Sequence, residues 1–378
     1  MRVLLDATPY RRDRPTGVGR YLACLIQGLA ALENGPELFV LGTDEDLLDG
    51  IPNRDRIAFH RFSPKPSTGP LAREVKRQKA LVRIARARRI DLVHTVLEPL
   101  LPHRGIVQVL TVHDVARGRR DIPGLADRSV RELMRTGLRY AAAKRADRII
   151  TVSEFTRKEV LHRLGIDPRK VRTVYTGLDE TIARMAGATT DPPKDAPGES
   201  GYLLFVGETG RQKNEKRLLL AYSRLRMEGF NVGLVLVGGE GTGRLDLDNN
   251  VPDRDARQSI VVHATVTDSE LVALYKQARA FILPSMYEGF GLPLLEAMAC
   301  GAPAVVSRGT SLEEIAGGAA MLIDPTDAGS IFWAAAKLLG DHDLSETLRR
   351  KGLERASFFT LENMAQQTLD VYREAIGS

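Results

Sequence analysis

Short apolar runs alternate with helical segments along this chain, and the alternation occurs twice, on either side of a segment rich in Pro, Gly, Asp and Thr. Strand–helix–strand repeats of this kind build parallel sheets with right-handed crossovers. We therefore predict an α/β fold of two consecutive doubly wound domains. The predicted strands are Val3–Leu5, Leu38–Leu41, Ile57–Phe62, Leu92–Val96, Ile106–Val112, Ile149–Val152 and Val171–Val174 in the first half, and Tyr202–Val206, Val232–Val237, Ile260–Val262, Phe281–Leu283, Ala304–Val306 and Met321–Ile323 in the second.

The domain boundaries follow from this pattern and from the length of the chain. A chain of 378 residues suits two domains of about 150–200 residues each. We place the N-terminal domain at 1–180, a linker at 181–200, the C-terminal domain at 201–357 and a separate last helix at 358–378. Ligands of open α/β sheets bind beyond the carboxyl ends of the strands, so we expect a site in a cleft between the two domains.

The cysteines and the apolar segments indicate a cellular location. Cys24 and Cys300 lie in apolar helical contexts, with neither zinc-site spacing nor a disulfide pattern. The N-terminal residues lack the apolar run of a signal peptide, and no run of about 18 apolar residues occurs. We expect a cytoplasmic protein, with peripheral attachment to the inner face of the plasma membrane as a further option.

The segment 284–301, PSMYEGFGLPLLEAMACG, carries the most chemical information. It follows an apolar strand and enters a helix, with Pro293 in the first turn, where its missing N–H group costs nothing. Glycines on both sides of Phe290 allow a tight turn, and the N–H groups that begin a helix attract anions. Glu288 and Glu296 flank these donors, and carboxylates accept pairs of hydrogen bonds from hydroxyl groups. Taken alone, each glutamate is equally well explained as a charge that complements the helix dipole.

The sequence EGFGLPLLEAMACGAPAVVS, with seven residues between Glu288 and Glu296, resembles the signature of the family 4 retaining glycosyltransferases of the GT-B fold. The resemblance extends over nearly the whole chain. It implies two Rossmann-like domains, an N-terminal one for the acceptor and a C-terminal one for the nucleotide-sugar. It also implies that the last helix crosses back onto the N-terminal domain.

In segment 284–301 the resemblance implies that Glu288 holds hydroxyls of the transferred sugar and is catalytic. It implies that Glu296 accepts the ribose hydroxyls. The backbone N–H groups of Phe290, Gly291 and Leu292 are implied to stabilise the departing diphosphate, which is electrostatic stabilisation of a developing anion.

A basic turn follows the strand Tyr202–Val206 and resembles the family's diphosphate-binding turn. Lys213 matches the family's lysine and is a predicted catalytic and donor-binding residue. Gln212 stands where the family usually has Arg, and Arg211 lies one residue earlier. Arg211 is a predicted donor-binding residue whose exact role stays open, and Val266 resembles the residue that lines the nucleobase pocket.

The N-terminal domain contributes two further groups. The TGVGRY sequence places Gly17 and Val18 at the start of a helix, where an anion is favoured, and it resembles the glycine loop that lies against the donor diphosphate. His113, in TVHD at a strand end, matches the catalytic histidine next to the transferred sugar. A structural role for this lone histidine is the alternative.

Carboxylate pairs of the form Asp-x-Asp occur at positions 44/46, 246/248, 253/255 and 341/343. Such pairs bind Mn²⁺ or Mg²⁺ in the other large glycosyltransferase fold, but several are expected by chance among 48 acidic residues. Lys213, Arg211 and a helix dipole can neutralise the leaving diphosphate. We therefore predict no metal and no cofactor besides the nucleotide-diphosphate sugar that serves as donor substrate.

Charge is distributed unevenly between the two halves. Residues 1–180 contain 34 basic and 22 acidic residues, whereas the remainder contains 20 and 26. This asymmetry favours an anionic membrane surface or acidic acceptor at the N-terminal half, with a solvated helix surface as the alternative. Nucleic acid is not predicted, because only 6% of residues are aromatic and no reading motif occurs. The residues predicted to face this partner are Arg73, Lys76, Arg77, Lys79 and Arg83.

The sequence thus predicts a metal-independent hexosyltransferase (EC 2.4.1.-). Its N-terminal wording resembles bacterial mannosyltransferases of surface polysaccharide or lipopolysaccharide assembly. GDP-mannose is therefore the first predicted donor, and a surface-glycan or lipid-linked glycan the acceptor. The alternatives are a UDP-sugar-dependent glucosyl, GlcNAc or galactosyl transferase, a nucleotide-sugar epimerase on the same fold, and a binding module for anionic polymers.

Overall fold

The computed structural model describes residues 1–11, 16–65, 69–96, 105–115, 140–188, 201–208, 210, 212–238 and 247–377. The chain divides into two compact units. Unit 1 comprises Met1–Gly177 together with Phe359–Ser378, and unit 2 comprises Leu178–Phe358. Among the described residues, no helix is long and apolar enough to cross a membrane.

Unit 1 is built on a seven-stranded parallel sheet with the order β3-β2-β1-β4-β5-β6-β7. The order reverses direction at β1, whose neighbours are β2 and β4. In doubly wound sheets the crevice at such a reversal, beyond the carboxyl ends of the strands, is where ligands bind. The strands are β1 (Arg2–Asp6), β2 (Glu37–Gly42), β3 (Ile57–Arg61), β4 (Leu92–Val96), β5 (Val107–Val112), β6 (Arg148–Thr151) and β7 (Val171–Thr173).

Unit 2 repeats this plan with a six-stranded parallel sheet in the order β10-β9-β8-β11-β12-β13. Here the reversal lies at β8, between β9 and β11. The central strands β8, β9 and β11 are buried apart from the half-buried Val206, as their unbroken apolar sequences require. The strands are β8 (Tyr202–Val206), β9 (Gly233–Val237), β10 (Ile260–His263), β11 (Ala280–Leu283), β12 (Ala304–Ser307) and β13 (Ala320–Ile323).

The helices connect these strands, and most begin at a side chain that accepts a hydrogen bond from the first turn. The last helix, α13, packs against α1, β5 and β6 and therefore belongs to unit 1. The helices are α1 (Gly17–Ala31), α2 (Pro70–Ala87), α3 (Glu154–Leu164), α4 (Glu180–Gly187), α5 (Glu215–Met227), α6 (Leu247–Asn250), α7 (Arg254–Gln258), α8 (Asp268–Gln277), α9 (Leu292–Ala299), α10 (Ser311–Ala316), α11 (Ala328–Gly340), α12 (His342–Ala356) and α13 (Leu361–Ile376).

The predicted α/β class with two doubly wound sheets is confirmed, and each of the thirteen predicted strands is present with its ends within one residue of the prediction. The linker predicted at 181–200 differs at its start, because 180–187 form α4 in unit 2. Asp179 accepts a hydrogen bond from the N–H group of Thr181 at 2.8 Å, and Ile182 is fully buried. The capping residue and the buried side chain together hold this segment as a helix. Residues 189–200 lie outside the described residues.

Arg77 corrects the basic face predicted for α2. Its side chain is only 4% exposed and forms ion pairs with Asp6, at the end of β1, and with Glu74. Asp6 also accepts hydrogen bonds from the backbone N–H and the hydroxyl of Thr8, at 3.2 and 2.7 Å. Arg77 therefore points into unit 1. The exposed basic residues of α2 are Arg73, Lys76, Lys79, Arg83 and Arg86.

We expect Arg77→Met to destabilise unit 1 by about 3 kcal/mol, because the change leaves the buried Asp6 carboxylate without its cation. The matched control Arg83→Met, at an exposed position on the same helix, should leave stability unchanged within error. Urea unfolding, followed by a probe of unit 1, measures both. Equal midpoints for the two variants would contradict a structural role for the Arg77–Asp6 pair.

Candidate functional site

The candidate site of unit 2 lies at the carboxyl ends of its two central strands. β8 and β11 are hydrogen-bonded neighbours, with Leu203 opposite Ala280 and Leu204 opposite Phe281. The loop after β8 carries Lys213, and the loop after β11 carries Glu288. Because parallel strands end at the same edge of a sheet, two segments that are 75 residues apart meet here.

Lys213 and Glu288 form an ion pair. The ammonium nitrogen of Lys213 lies 2.6 Å from Oε1 of Glu288, and the hydroxyl of Ser285 donates to the same oxygen at 2.7 Å. Only 20% of the Lys213 side chain and 11% of the Glu288 side chain are exposed. Charges so little screened by water interact strongly. The structure thus brings together two of the residues that the sequence predicts as catalytic.

The turn that carries Glu288 depends on Gly291. This residue precedes α9 and has a backbone φ of +102°, a region that disfavours residues with a side chain. A Cβ atom here would clash with Cδ2 of Leu312. The first residue of α9, Leu292, therefore follows directly on a turn that only glycine fits. Phe290, Gly291 and Leu292 thus stand together at the N-terminal end of α9.

Ser311 fixes the backbone on both sides of Gly289. Its hydroxyl lies 2.8 Å from the carbonyl oxygen of Glu288 and 3.1 Å from that of Phe290. Ser311 is fully buried and is the first residue of α10, after β12. The sequence analysis missed Ser311, since a serine near a helix start is first interpreted as a cap.

Gln212 and Asn214 are the neighbours of Lys213 in the sequence, and they join the loop after β8 to the loop after β11. The side-chain amide of Gln212 donates to the backbone carbonyl of Tyr287 at 3.0 Å. The backbone carbonyl of Gln212 accepts from the N–H group of Met286 at 2.8 Å. Asn214 has a left-handed backbone and donates to the carbonyls of Pro284 and Pro325, at 2.9 and 2.7 Å. Gln212, which departs from the family pattern, therefore holds the loops together. The neighbouring Arg211 lies outside the described residues.

Glu296 lies on α9 and is 5% exposed. Its Oε2 atom accepts a hydrogen bond of 3.0 Å from the hydroxyl of Tyr275, which is fully buried on α8. Burial, together with the charge of Glu296, raises the pKa of the nearby Cys300 thiol to about 12. Cys300 is therefore an inert thiol at neutral pH, and Tyr275 is a partner of Glu296 that the sequence did not indicate.

The remaining predictions concern Val266 and the Asp-x-Asp pairs. Val266 is half-buried and lies between β10, the edge strand of the sheet, and α8. Three of the four Asp-x-Asp pairs contribute a helix cap, because Asp44 in unit 1 and Asp253 and Asp341 in unit 2 each accept a hydrogen bond from the turn that follows, at 3.1, 2.7 and 2.9 Å. The pair at 246/248 falls on residues whose side chains are not described.

His113 and the glycine turn belong to unit 1. Gly17 and Val18 are the first two residues of α1, after Thr16, whose hydroxyl accepts from the N–H group of Gly19 at 3.1 Å. His113 follows β5, and burial lowers its pKa to about 4, so the ring is neutral at pH 7. Its Nε2 atom is buried and has no hydrogen-bond partner among the described residues. A buried nitrogen of this kind is available to a ligand hydroxyl.

Known proteins that resemble the chain identify its family. The model described as Glycosyltransferase Family 4 matches residues 15–181, and that described as Glycosyl transferases group 1 matches residues 188–355. The O-antigen chain mannosyltransferase B of Escherichia coli is 31% identical over 388 aligned positions, which cover 99% of this chain and 100% of that protein. This chain is a family 4 glycosyltransferase. The glycosyltransferase is an enzyme of the hexosyltransferase class, as the sequence predicts.

Solved structures confirm the GT-B fold of this glycosyltransferase. Sucrose-phosphate synthase from Thermosynechococcus elongatus superposes with a TM-score of 0.78 at 22% identity, over 100% of this chain and 99% of that one. Anabaena HepE, solved in complex with UDP and glucose, gives a TM-score of 0.71 at 17% identity, over 99% of this chain and 100% of that one. At these identities the likeness concerns the fold.

We expect Ser311→Ala to lower kcat about tenfold or more, because the turn that carries Glu288 loses the hydroxyl that holds two of its carbonyls. Tyr222→Phe is the matched control, since the buried Tyr222 hydroxyl likewise lies near two carbonyls, those of Val232 and Ala256. Both variants should lose about 1–2 kcal/mol of stability, but only Ser311→Ala should lose activity. An equal kcat in the two variants, at equal stability, would remove Ser311 from the site.

Proposed function

We propose that this enzyme is a retaining mannosyltransferase that moves mannose from GDP-mannose to a surface-glycan, lipopolysaccharide or lipid-linked acceptor. The observation that supports the proposal most is the Lys213–Glu288 ion pair beside the N-terminal end of α9. A cation and a helix N-terminus suit a diphosphate, and an adjacent carboxylate suits sugar hydroxyls. The Escherichia coli relative, named an O-antigen chain mannosyltransferase, supports the choice of sugar and of acceptor class.

In the proposed reaction, the bond between the anomeric carbon and the diphosphate oxygen breaks while the acceptor oxygen bonds to the same face of that carbon. The acceptor proton passes to the departing phosphate oxygen. Lys213 and the N–H groups of Phe290, Gly291 and Leu292 stabilise the negative charge that develops on the diphosphate. Glu288 holds the sugar hydroxyls, and Glu296 the ribose.

Unit 1 contributes His113 and the glycine turn to this proposal. The neutral His113 ring, with its buried Nε2 atom, suits a hydrogen bond to a sugar hydroxyl. Gly17 and Val18, at the start of α1, suit a phosphate oxygen because the N–H groups of a first helical turn have no acceptor within the helix. Arg211 is proposed as a second cation for the diphosphate and Val266 as part of the nucleobase pocket.

A panel of nucleotide-sugars tests this function. With GDP-mannose, GDP-glucose, UDP-glucose and UDP-GlcNAc as donors, we expect slow hydrolysis of GDP-mannose without acceptor and faster turnover with a mannosylated glycan. If only a UDP-sugar is turned over, the proposed donor GDP-mannose is wrong, and the assignment as a glycosyltransferase stands. Release of an isomerised sugar would instead indicate an epimerase.

The two glutamates should differ in their kinetic effects. Glu288→Ala should lower kcat by more than about tenfold, because the contact to the sugar tightens in the transition state. Glu296→Ala should raise the donor KM about tenfold and leave kcat within about twofold, as expected for a ribose contact made equally in both states. Steady-state kinetics on both variants decides between them, and the reverse pattern would mean that the two roles are exchanged.

We further propose that the enzyme requires no metal, because Lys213, Arg211 and the N-terminal end of α9 supply the positive charge that the leaving diphosphate needs. Activity should therefore survive incubation with EDTA and dialysis, at more than about 80% of the untreated rate. Loss of turnover on chelation, restored by Mn²⁺ or Mg²⁺, would contradict the proposal. In that event the pair at 246/248 would be the first candidate, since the other three pairs contribute helix caps.

A surface interaction is proposed for α2. Arg73, Lys79 and Arg83 are exposed basic residues on this helix, and Val75 is an exposed apolar residue (40%) among them. Such a surface suits anionic lipid headgroups, to which each basic residue contributes up to about 1 kcal/mol. A membrane contact would place the enzyme beside a lipid-linked acceptor.

The enzyme should bind vesicles that contain anionic lipid and leave them as salt rises, because exposed charges are screened over about 8–10 Å near physiological ionic strength. Changing Arg73, Lys79 and Arg83 to Glu should abolish this binding, without slowing donor hydrolysis. The matched control changes Arg254, Arg350 and Lys351, which are exposed in unit 2, and alters the net charge equally. Equal sedimentation of the two triple variants, or binding to neutral vesicles, would contradict the proposal.

A further inference from the structure

Four buried side chains of unit 1 form a hydrogen-bonded chain from the last helix to the helix after β1. The hydroxyl of Tyr372, on α13, lies 2.6 Å from Nδ1 of His94. Nε2 of His94 lies 2.7 Å from Oγ1 of Thr111, which lies 3.0 Å from the hydroxyl of Tyr21 on α1. Each of the four is at most 1% exposed. Residues that are 278 positions apart in the sequence are thus joined directly.

This series of hydrogen bonds ends at Tyr21, whose ring contacts His113. The Tyr21 and His113 rings meet edge to face, with centroids 4.5 Å apart and planes at 89°. Among the described residues, the Nε2 atom of His113 has no hydrogen-bond partner. No hydrogen bond from that atom to these residues therefore holds the ring in its orientation. The contact with Tyr21 therefore restrains the direction in which the His113 ring points.

We propose that Tyr21, Thr111, His94 and Tyr372 are positioning residues for His113. Thr111 and His94 hold the Tyr21 ring by its hydroxyl, and Tyr372 extends this support to the C-terminal helix. The inference rests on the proposed role of His113 at the transferred sugar. It adds to that role the means by which the His113 ring is aimed.

The chemistry of His94 keeps this chain intact across the working range of pH. Burial, and to a smaller extent the nearby His113, lowers the pKa of His94 to about 3, so the ring stays neutral. A neutral imidazole donates from one nitrogen and accepts at the other. Thr111 has a single hydroxyl hydrogen, so it donates to one of its two partners and accepts from the other. Removing one hydroxyl therefore leaves a buried neighbour with one hydrogen bond fewer, which is costly.

The experiment compares three variants with a matched control. Tyr21→Leu removes both the ring and the hydroxyl, whereas Tyr21→Phe and Tyr372→Phe remove a hydroxyl and keep the ring. Tyr202→Phe is the control, because its buried hydroxyl donates to the carbonyl of Leu274 in unit 2 at 2.8 Å. The measurements are kcat, the donor KM, and the NMR resonances of the His113 ring in enzyme with labelled histidine. His113→Gln assigns those resonances.

Tyr21→Leu should shift the His113 resonances and lower kcat about tenfold, with the donor KM within about twofold. The two Phe variants should act in the same direction with a smaller effect, and Tyr202→Phe should do neither. In a His113→Ala background, Tyr21→Leu should lower kcat no further, because its effect passes through His113. The conservative variants keep the test valid should Tyr21→Leu fail to fold.

Unchanged His113 resonances in Tyr21→Phe and Tyr372→Phe would overturn the inference, as would an equal loss of kcat with and without His113. A wild-type rate in His113→Ala would instead refute the proposed role of His113. The resonance shifts in the two Phe variants, which keep the aromatic ring beside His113, would then still show whether the hydrogen-bonded residues orient that ring, so the two failures are distinguishable.

Discussion

The ion pair between Lys213 and Glu288 is the interaction around which the candidate site of unit 2 is organised. Both side chains are mostly buried, and charges removed from water in this way are stable only when they are paired. The pair in turn requires that the loops after β8 and β11 keep their positions relative to each other. The two charges neutralise each other, and a diphosphate at this site would compete with Glu288 for Lys213.

The surrounding loops meet this requirement through glycine, serine and amide side chains. Gly207 lets the Lys213 side chain pass close by, since a Cβ there would lie 3.3 Å from Cε of Lys213. Asn214 and Gln212 tie the lysine loop to the glutamate loop, and Ser311 holds the glutamate turn. None of these residues need touch a substrate. They set the distance between a cation and a carboxylate, which is what electrostatic catalysis demands of a protein scaffold.

The sequence predicted the strands well because most are short apolar runs, a pattern that is local, and strands β4, β9, β11 and β12 are buried on both faces. It also predicted Lys213 and Glu288 as site residues, through a motif. It did not predict their pairing, which follows from the adjacency of β8 and β11. Arg77 shows the limit most clearly. It lies one turn before Leu81 on the buried face of α2, but its partner Asp6 lies 71 residues away, so composition alone made it part of a solvent-exposed patch. The series of hydrogen bonds from Tyr372 to Tyr21 was not predicted either, because its members lie far apart in the sequence.

A crystal structure of the enzyme with GDP-mannose, or with a non-transferable analogue of it, tests the central claim most directly. We expect a diphosphate oxygen about 3 Å from the Lys213 ammonium nitrogen, the phosphates at the N-terminal end of α9, and a sugar hydroxyl on the carboxylate of Glu288. A diphosphate bound away from α9, with the Lys213–Glu288 pair unchanged, would contradict the assignment of this site.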